Sequence, residues 1–330
     1  MKFKGLVILA LAFLVVGAFS YDASASACRH PASLLLFPHF KTDGKNLSVI
    51  TITNTGPEDI VLRIVWIYKD KDHCIPADTW IEMTRNDTFT FMDRDLFFED
   101  EEGFSYVYVV DDLYSDAEVD YDYLIGQECV FTADQEEAPY VVNYAINAVG
   151  FEALSVNGDG LLELDGVEYT SAPAKLLFPR FFGQPDAGSV GEAFKSKLVF
   201  VNLTGGKFFD ITTKWLIFND NEVGFSRTVQ FDCWEYKKLT KISGVFENSY
   251  LLGTDHDEDE PLGFETLVET GWFYFYGEQA YYDTISIENP SAYAVLVETV
   301  GHEFGSADLP WQIEDPEFNH ASLYPTVINP

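Results

Sequence analysis

Two stretches of this chain repeat one another, and the echo limits what it can fold into. Leu35-Leu36-Phe37-Pro38-His39-Phe40 returns as Leu176-Leu177-Phe178-Pro179-Arg180-Phe181. The strand Val49 to Thr55 answers Leu198 to Thr204, and Trp66 answers Trp215 at the same offset of 149. Gly103-Phe104-Ser105-Tyr106-Val107-Tyr108 then answers Gly271-Trp272-Phe273-Tyr274-Phe275-Tyr276. Strand-like segments that recur in order, joined by connections of changing length, predict two copies of one β unit. The expected fold is all-β, two tandem immunoglobulin-like antiparallel β-sandwich domains arisen by internal duplication.

Alternation places the core. Ile60, Leu62, Ile64, Trp66 and Tyr68 share one strand face, as do Phe209, Ile211, Thr213, Trp215 and Ile217, so each Trp is expected to plug its own core. The opposite faces, Val61, Arg63, Val65 and Ile67 or Asp210, Thr212 and Lys214, are expected to meet water. Pro38 and Pro179 cannot donate to a ladder and are assigned to strand ends or sheet edges. Leu162 to Tyr169 reads as a hairpin with Asp165-Gly166 at its turn. The domains are therefore 28–151 and 174–330, joined by a hairpin connector at 152–173. The second carries extra length at Phe225 to Cys233 and in an acidic loop, and ends in an extended C-terminal tail.

The Leu-Leu-x-Phe-Pro-x-Phe opening (Leu34 to Phe40), Thr51 to Thr55, Arg85-Asn86-Asp87-Thr88 and the segment 162–181 together resemble exported bacterial β-rich proteins. That resemblance implies a secreted β protein and carries over no active site.

Residues 1–27 read as a signal peptide. Lys2 and Lys4 precede an apolar run from Gly5 to Phe19, and Ala25-Ser26-Ala27 offers small residues for cleavage. The run is short for a membrane span, and no later stretch qualifies. Cys28 follows directly, but Ala25 stands where a lipoprotein signal has a Leu-like residue, which disfavours lipidation. Export to the periplasm or beyond is expected. Cleavage leaves 18 basic and 53 acidic side chains, a formal charge of −35. Such a field repels nucleic acid and anionic lipid. Cys28, Cys74, Cys129 and Cys233 are the disulfide candidates in an oxidising compartment. Three lie in the first half and one in the second, so complete pairing requires a bond between the halves.

The densest charge cluster is Asp255 to Glu260, where Asp255, Asp257, Asp259 and Glu260 offer the hard oxygens that Ca2+ accepts. Asn157-Gly158-Asp159-Gly160 resembles the start of an EF-hand loop. Ser155 and Gly166 stand where its first and last acids belong, so a polar turn is the better reading. Trp272, Tyr274 and Tyr276 share a strand face, as do Phe104, Tyr106 and Tyr108, and both sets serve either as core or as a ligand platform. Gly301-His302-Glu303-Phe304-Gly305 lacks the second His of HExxH, and no nucleophile elbow or phosphate loop occurs. The reading is an exported, non-catalytic structural or adhesion protein with calcium on the acidic loop, its partner an extracellular protein or glycan. The alternative is a carbohydrate-binding module using the Trp272 face, and a secreted hydrolase comes third.

Overall fold

The alternation of apolar and polar residues is realised as antiparallel sheets. The computed structural model describes residues 30–43, 45–70, 73–92, 101–132, 141–184, 194–205, 209–220, 222–254, 269–300 and 304–313. The signal segment, Cys28, the loop carrying Asp255 to Glu260 and the C-terminal residues 314–330 lie outside them.

In the first half, β1 (Leu34–Lys41), β3 (Ile60–Asp70), β4 (His73–Met83), β6 (Glu102–Val110) and β9 (Val149–Phe151) form a sheet in the order β4-β3-β6-β1-β9. A second sheet has the order β5-β2-β7-β8, from β2 (Asn46–Asn54), β5 (Thr88–Met92), β7 (Leu124–Thr132) and β8 (Val141–Asn147). The second half repeats both orders. Its larger sheet runs β13-β12-β15-β10-β19, from β10 (Lys175–Phe182), β12 (Asp210–Asn219), β13 (Gly224–Phe231), β15 (Thr270–Tyr282) and β19 (Trp311–Ile313). The short β16 (Ile285–Glu288) joins this sheet on β15. Its smaller sheet runs β14-β11-β17-β18, from β11 (Phe194–Asn202), β14 (Trp234–Lys238), β17 (Ala292–Val300) and β18 (Phe304–Asp308). The Phe225–Cys233 stretch is thus the counterpart of β4, and among the described residues the added length includes the pair of short helices, α1 (Leu239–Ile242) and α2 (Asn248–Leu252), and β16.

Trp66 and Trp215 are fully buried, as their shared phase predicts. Trp66 meets Phe91 of β5 edge-on at 6.1 Å, and Trp215 stacks on Phe275 at 4.5 Å. Phe200 of β11 stacks on Phe231 of β13 at 4.0 Å, so one aromatic pair bridges the two sheets of the second half.

The two prolines depart from expectation. Pro38 and Pro179 lie within strands, at register breaks between Phe37 and Phe40 and between Phe178 and Phe181. A bulge removes the need for a ladder donor as well as an edge does. Opposite each break sits a glycine of the repeat, Gly103 or Gly271. A Cβ on Gly103 would lie 2.0 Å from the Ile67 carbonyl oxygen, and one on Gly271 would lie 2.2 Å from that of Phe218. The motif and its distant glycine are one device, made twice.

The outer face of the first large sheet does not meet water. Arg63, Val65 and Ile67 are buried, in line with Leu34, Leu36, Phe104, Tyr106 and Tyr108. They belong to one apolar cluster with Leu162, Leu164, Tyr169 and Ala172 of the connector and with the core of the second half. Arg63 is tolerated there through Asp78 at 2.6 Å, Asp116 at 2.6 Å and the Tyr108 hydroxyl at 2.8 Å. The connector is not a two-stranded hairpin. Gly166 makes the expected turn at φ +85°, its N–H donating to the Tyr169 carbonyl and the Tyr169 N–H donating to the Glu163 carbonyl at 3.3 Å, while Tyr169 also bridges Ala153, so the pairing stays at single bridges and no strand ladder forms among the described residues.

A disulfide between Cys74 and Cys233 joins the halves. Cys129, also a disulfide candidate, bonds no other described cysteine, and Cys28 lies outside the described residues. Around the bond, Lys69 pairs with Asp232 at 2.7 Å, and Trp234 donates its indole N–H to the Pro38 carbonyl at 3.0 Å. Among the described residues, no helix is long and apolar enough to cross a membrane.

Candidate functional site

The outer face of the second large sheet is the counterpart of the covered one. Among the described residues nothing lies over it. Strand register builds it row by row. Leu216, Tyr274, Leu177 and Trp311 are direct neighbours across β12, β15, β10 and β19. The next row holds Lys214, Tyr276, Lys175 and Ile313. Above them Phe218 and Trp272 stack at 4.4 Å with an interplanar angle of 11°, and Tyr274 continues the stack from Trp272. Trp272 is 37% exposed and Trp311 71%. Four strand spacings of about 4.8 Å make the face about 19 Å wide from β13 to β19. A depression of about 400 Å³ adjoins it, lined by Lys214, Trp215, Leu216, Ser226, Arg227 and Thr228.

Of the aromatic strand, Phe273 and Phe275 therefore fill the core, while Trp272, Tyr274 and Tyr276 face outward. Their counterparts Phe104, Tyr106 and Tyr108 are buried. Trp311 was not singled out by the sequence. Its signal is its place in the repeat, because β19 pairs with β10 as β9 pairs with β1.

A second group resembles a catalytic relay in outline only. The Tyr144 hydroxyl bonds His39 Nδ1, and His39 Nε2 lies 3.3 Å from Glu102 Oε1. His39 is enclosed by the rings of Tyr144, Trp234 and Tyr236, the last at 4.6 Å. Burial outweighs Glu102 and holds the imidazole below its usual range, so it is neutral near pH 7. Burial, then the nearby Tyr236 and Glu128, drives the Tyr144 phenol far above its ordinary value. A phenol that hard to ionise, with its partner imidazole shut from solvent, makes a poor nucleophile pair. The group instead anchors the second half against the Pro38 bulge of the first.

A third group is acidic. Glu118, from the β6–β7 connection, and Glu168, from the connector, are both buried, and Asp159 caps them from the surface. One carboxylate oxygen from each lies within 4.8 Å of the others. The N–H groups of Gly158 and Gly160 donate to the two oxygens of Glu118 at 2.8 and 2.9 Å, and the Asn157 amide donates to Glu168 Oε1. Burial, with Asp159 next, pushes the Glu168 carboxyl up to about 7. The polar-turn reading of Asn157 to Gly160 holds for its backbone, but the turn is wrapped around a glutamate some forty residues earlier. The calcium candidates Asp255, Asp257, Asp259 and Glu260 lie outside the described residues.

No family model matches the chain, and no curated protein matches it. Among solved structures, the crystal structure of Thermotoga maritima 1070 aligns at 14% identity and a TM-score of 0.29, covering 37% of this chain and 97% of that one. A likeness of that size leaves the fold to be read from the strands themselves.

Proposed function

We propose that the chain is an exported, non-catalytic adhesion or assembly protein that grips a protein partner through the open aromatic face of its second half. The carrying observation is the contrast between two equivalent faces, one buried in an apolar cluster that includes the connector and one left open among the described residues with Trp272 and Trp311 at its surface. An exposed aromatic patch with a polar rim marks an interaction surface. A second copy of the chain is a poor occupant, because a formal charge of −34 on each molecule opposes self-association. The repeated strand order supports two immunoglobulin-like sandwiches descended from one, and the Cys74–Cys233 bond supports life in an oxidising compartment after signal cleavage. The exposure of Trp311 favours a second reading, in which its ring stacks on a glycan.

The test compares the native chain with Trp272→Ser/Trp311→Ser on two supports, fixed cells bearing surface protein and the insoluble polysaccharides cellulose and chitin. Retention on cells alone, lost in the variant, is expected. Retention on polysaccharide, lost in the variant, moves the function to the glycan reading. Equal behaviour of both chains on both supports refutes both.

A further inference from the structure

The geometry points to a divalent-cation site, of the calcium class, formed by Glu118, Asp159 and Glu168 where the connector meets the first sandwich. The carboxylates alone would not carry this, since a chain with 54 acidic residues brings some of them together by chance. Two further groups do. Glu168 is 4% exposed, and its Oε2 is buried with no hydrogen-bond partner. The Tyr169 hydroxyl is fully buried and also has no partner; burial first, and then the charge of Glu118, drives its phenol well above the ordinary value. Buried polar atoms are almost always satisfied, and two vacancies of hydrogen bonding beside three converging carboxylates mark a place for a ligand.

The ligand is a cation by charge. Among the described residues no Lys, Arg or His pairs with any of the three acids, although Arg63 nearby is held by Asp78 and Asp116. The donors present, two glycine N–H groups and the Asn157 amide, hold one side of the carboxylates and fix their direction. Gly158 and Gly160 have φ of +75° and +81°, which lets the turn close around Glu118. Oxygen donors in flexible number suit Ca2+ better than Mg2+, which demands a near-ideal octahedron and keeps its water. Bound there, the ion ties the connector to the first sandwich. The competing occupant is a proton on Glu168.

The experiment is thermal unfolding of the purified chain at pH 8, with Ca2+, with Mg2+ or with a chelator at matched ionic strength. At 100 times its Kd, an ion that binds only the native state raises Tm by several degrees. The expected result is a Ca2+-specific rise that Glu168→Gln and Asp159→Asn each abolish. Asp257→Asn/Asp259→Asn, in the other acidic loop, should leave that rise intact. The exposed Asp159 keeps the test sound if Glu168→Gln does not fold. A rise that survives both site variants places the ion elsewhere and overturns the proposal. So does the absence of any rise in the native chain, and a Glu168→Gln chain as stable as the native one would then identify the proton as occupant.

Discussion

Placing a methyl group on Gly103 should break the large sheet of the first half at its centre, between β3 and β6. Its Cβ would stand 2.0 Å from the Ile67 carbonyl oxygen and 2.8 Å from the Tyr68 Cα, all backbone atoms of the paired strand β3. A carbon–oxygen contact needs about 3.3 Å, so β3 and β6 must part locally by roughly 1.3 Å. Ladder hydrogen bonds do not survive that displacement. Two or three of them at about 1 kcal/mol each, with about 1–3 kcal/mol of overpacking, give a loss of about 3–6 kcal/mol for Gly103→Ala. Neither Gly103 nor its repeat partner Gly271 has positive φ, so the cost comes from space and not from backbone conformation. Gly271→Ala, at 2.2 Å from the Phe218 oxygen and 2.7 Å from the Phe181 ring, should cost a similar amount. Gly244 has nothing within 4 Å of its would-be Cβ, and Gly244→Ala is the control. Urea unfolding of the three variants, compared at constant m, measures the differences. If Gly103→Ala loses no more than Gly244→Ala, the close approach of the two strands is not what holds glycine in the repeat.

Other outcomes follow from the same structure. Cys74→Ser/Cys233→Ser should lose up to about 5 kcal/mol by the chain-entropy model, from the sequence separation of 159, and equilibrium unfolding under non-reducing conditions measures it. His39 is held below its unfolded value of 6.5, so the unfolded chain binds the proton first and stability should fall as pH drops below about 6.5. His39→Gln should flatten that slope, and an unchanged pH profile would show that the imidazole is solvated after all. Glu168 acts in the opposite sense. Its folded value of about 7 lies above the usual 4.5, so in chelator the folded chain holds the extra proton and loses stability as pH rises from about 4.5 to 7. Comparing native and Glu168→Gln chains across that window separates the two slopes, which otherwise mask one another.

Much of the architecture was legible because it is local. Period-two alternation put Trp66 and Trp215 inside, and the repeat anticipated two sheets per half in one shared order. Counting cysteines anticipated a bond from Cys233 to the first half. What escaped depends on contacts between distant segments. Val65 and Ile67 read as solvent-facing because the connector segment in their cluster, Leu162 to Ala172, is too short and too polar to announce itself as a third layer. The bulges at Pro38 and Pro179 depend on glycines on another strand. Glu118 joins Asp159 and Glu168 only through the fold, and in so acidic a chain no spacing distinguishes it. The open face was half visible. The strand Trp272 to Tyr276 stood out, whereas Trp311 and Leu177 reach it only through sheet pairing.

The Cys74–Cys233 bond also decides how this molecule answers to force. A partner that pulls on the second sandwich while the first is held elsewhere loads the chain through that sulfur bridge. The strands between residues 74 and 233 then lie off the covalent path of tension. Fully extended, that stretch would add roughly 540 Å of length at about 3.4 Å per residue, and the bond withholds it. Reduction would bring those strands into the path of tension, so a reductant turns a short, stiff tether into one that lengthens as the strands unfold.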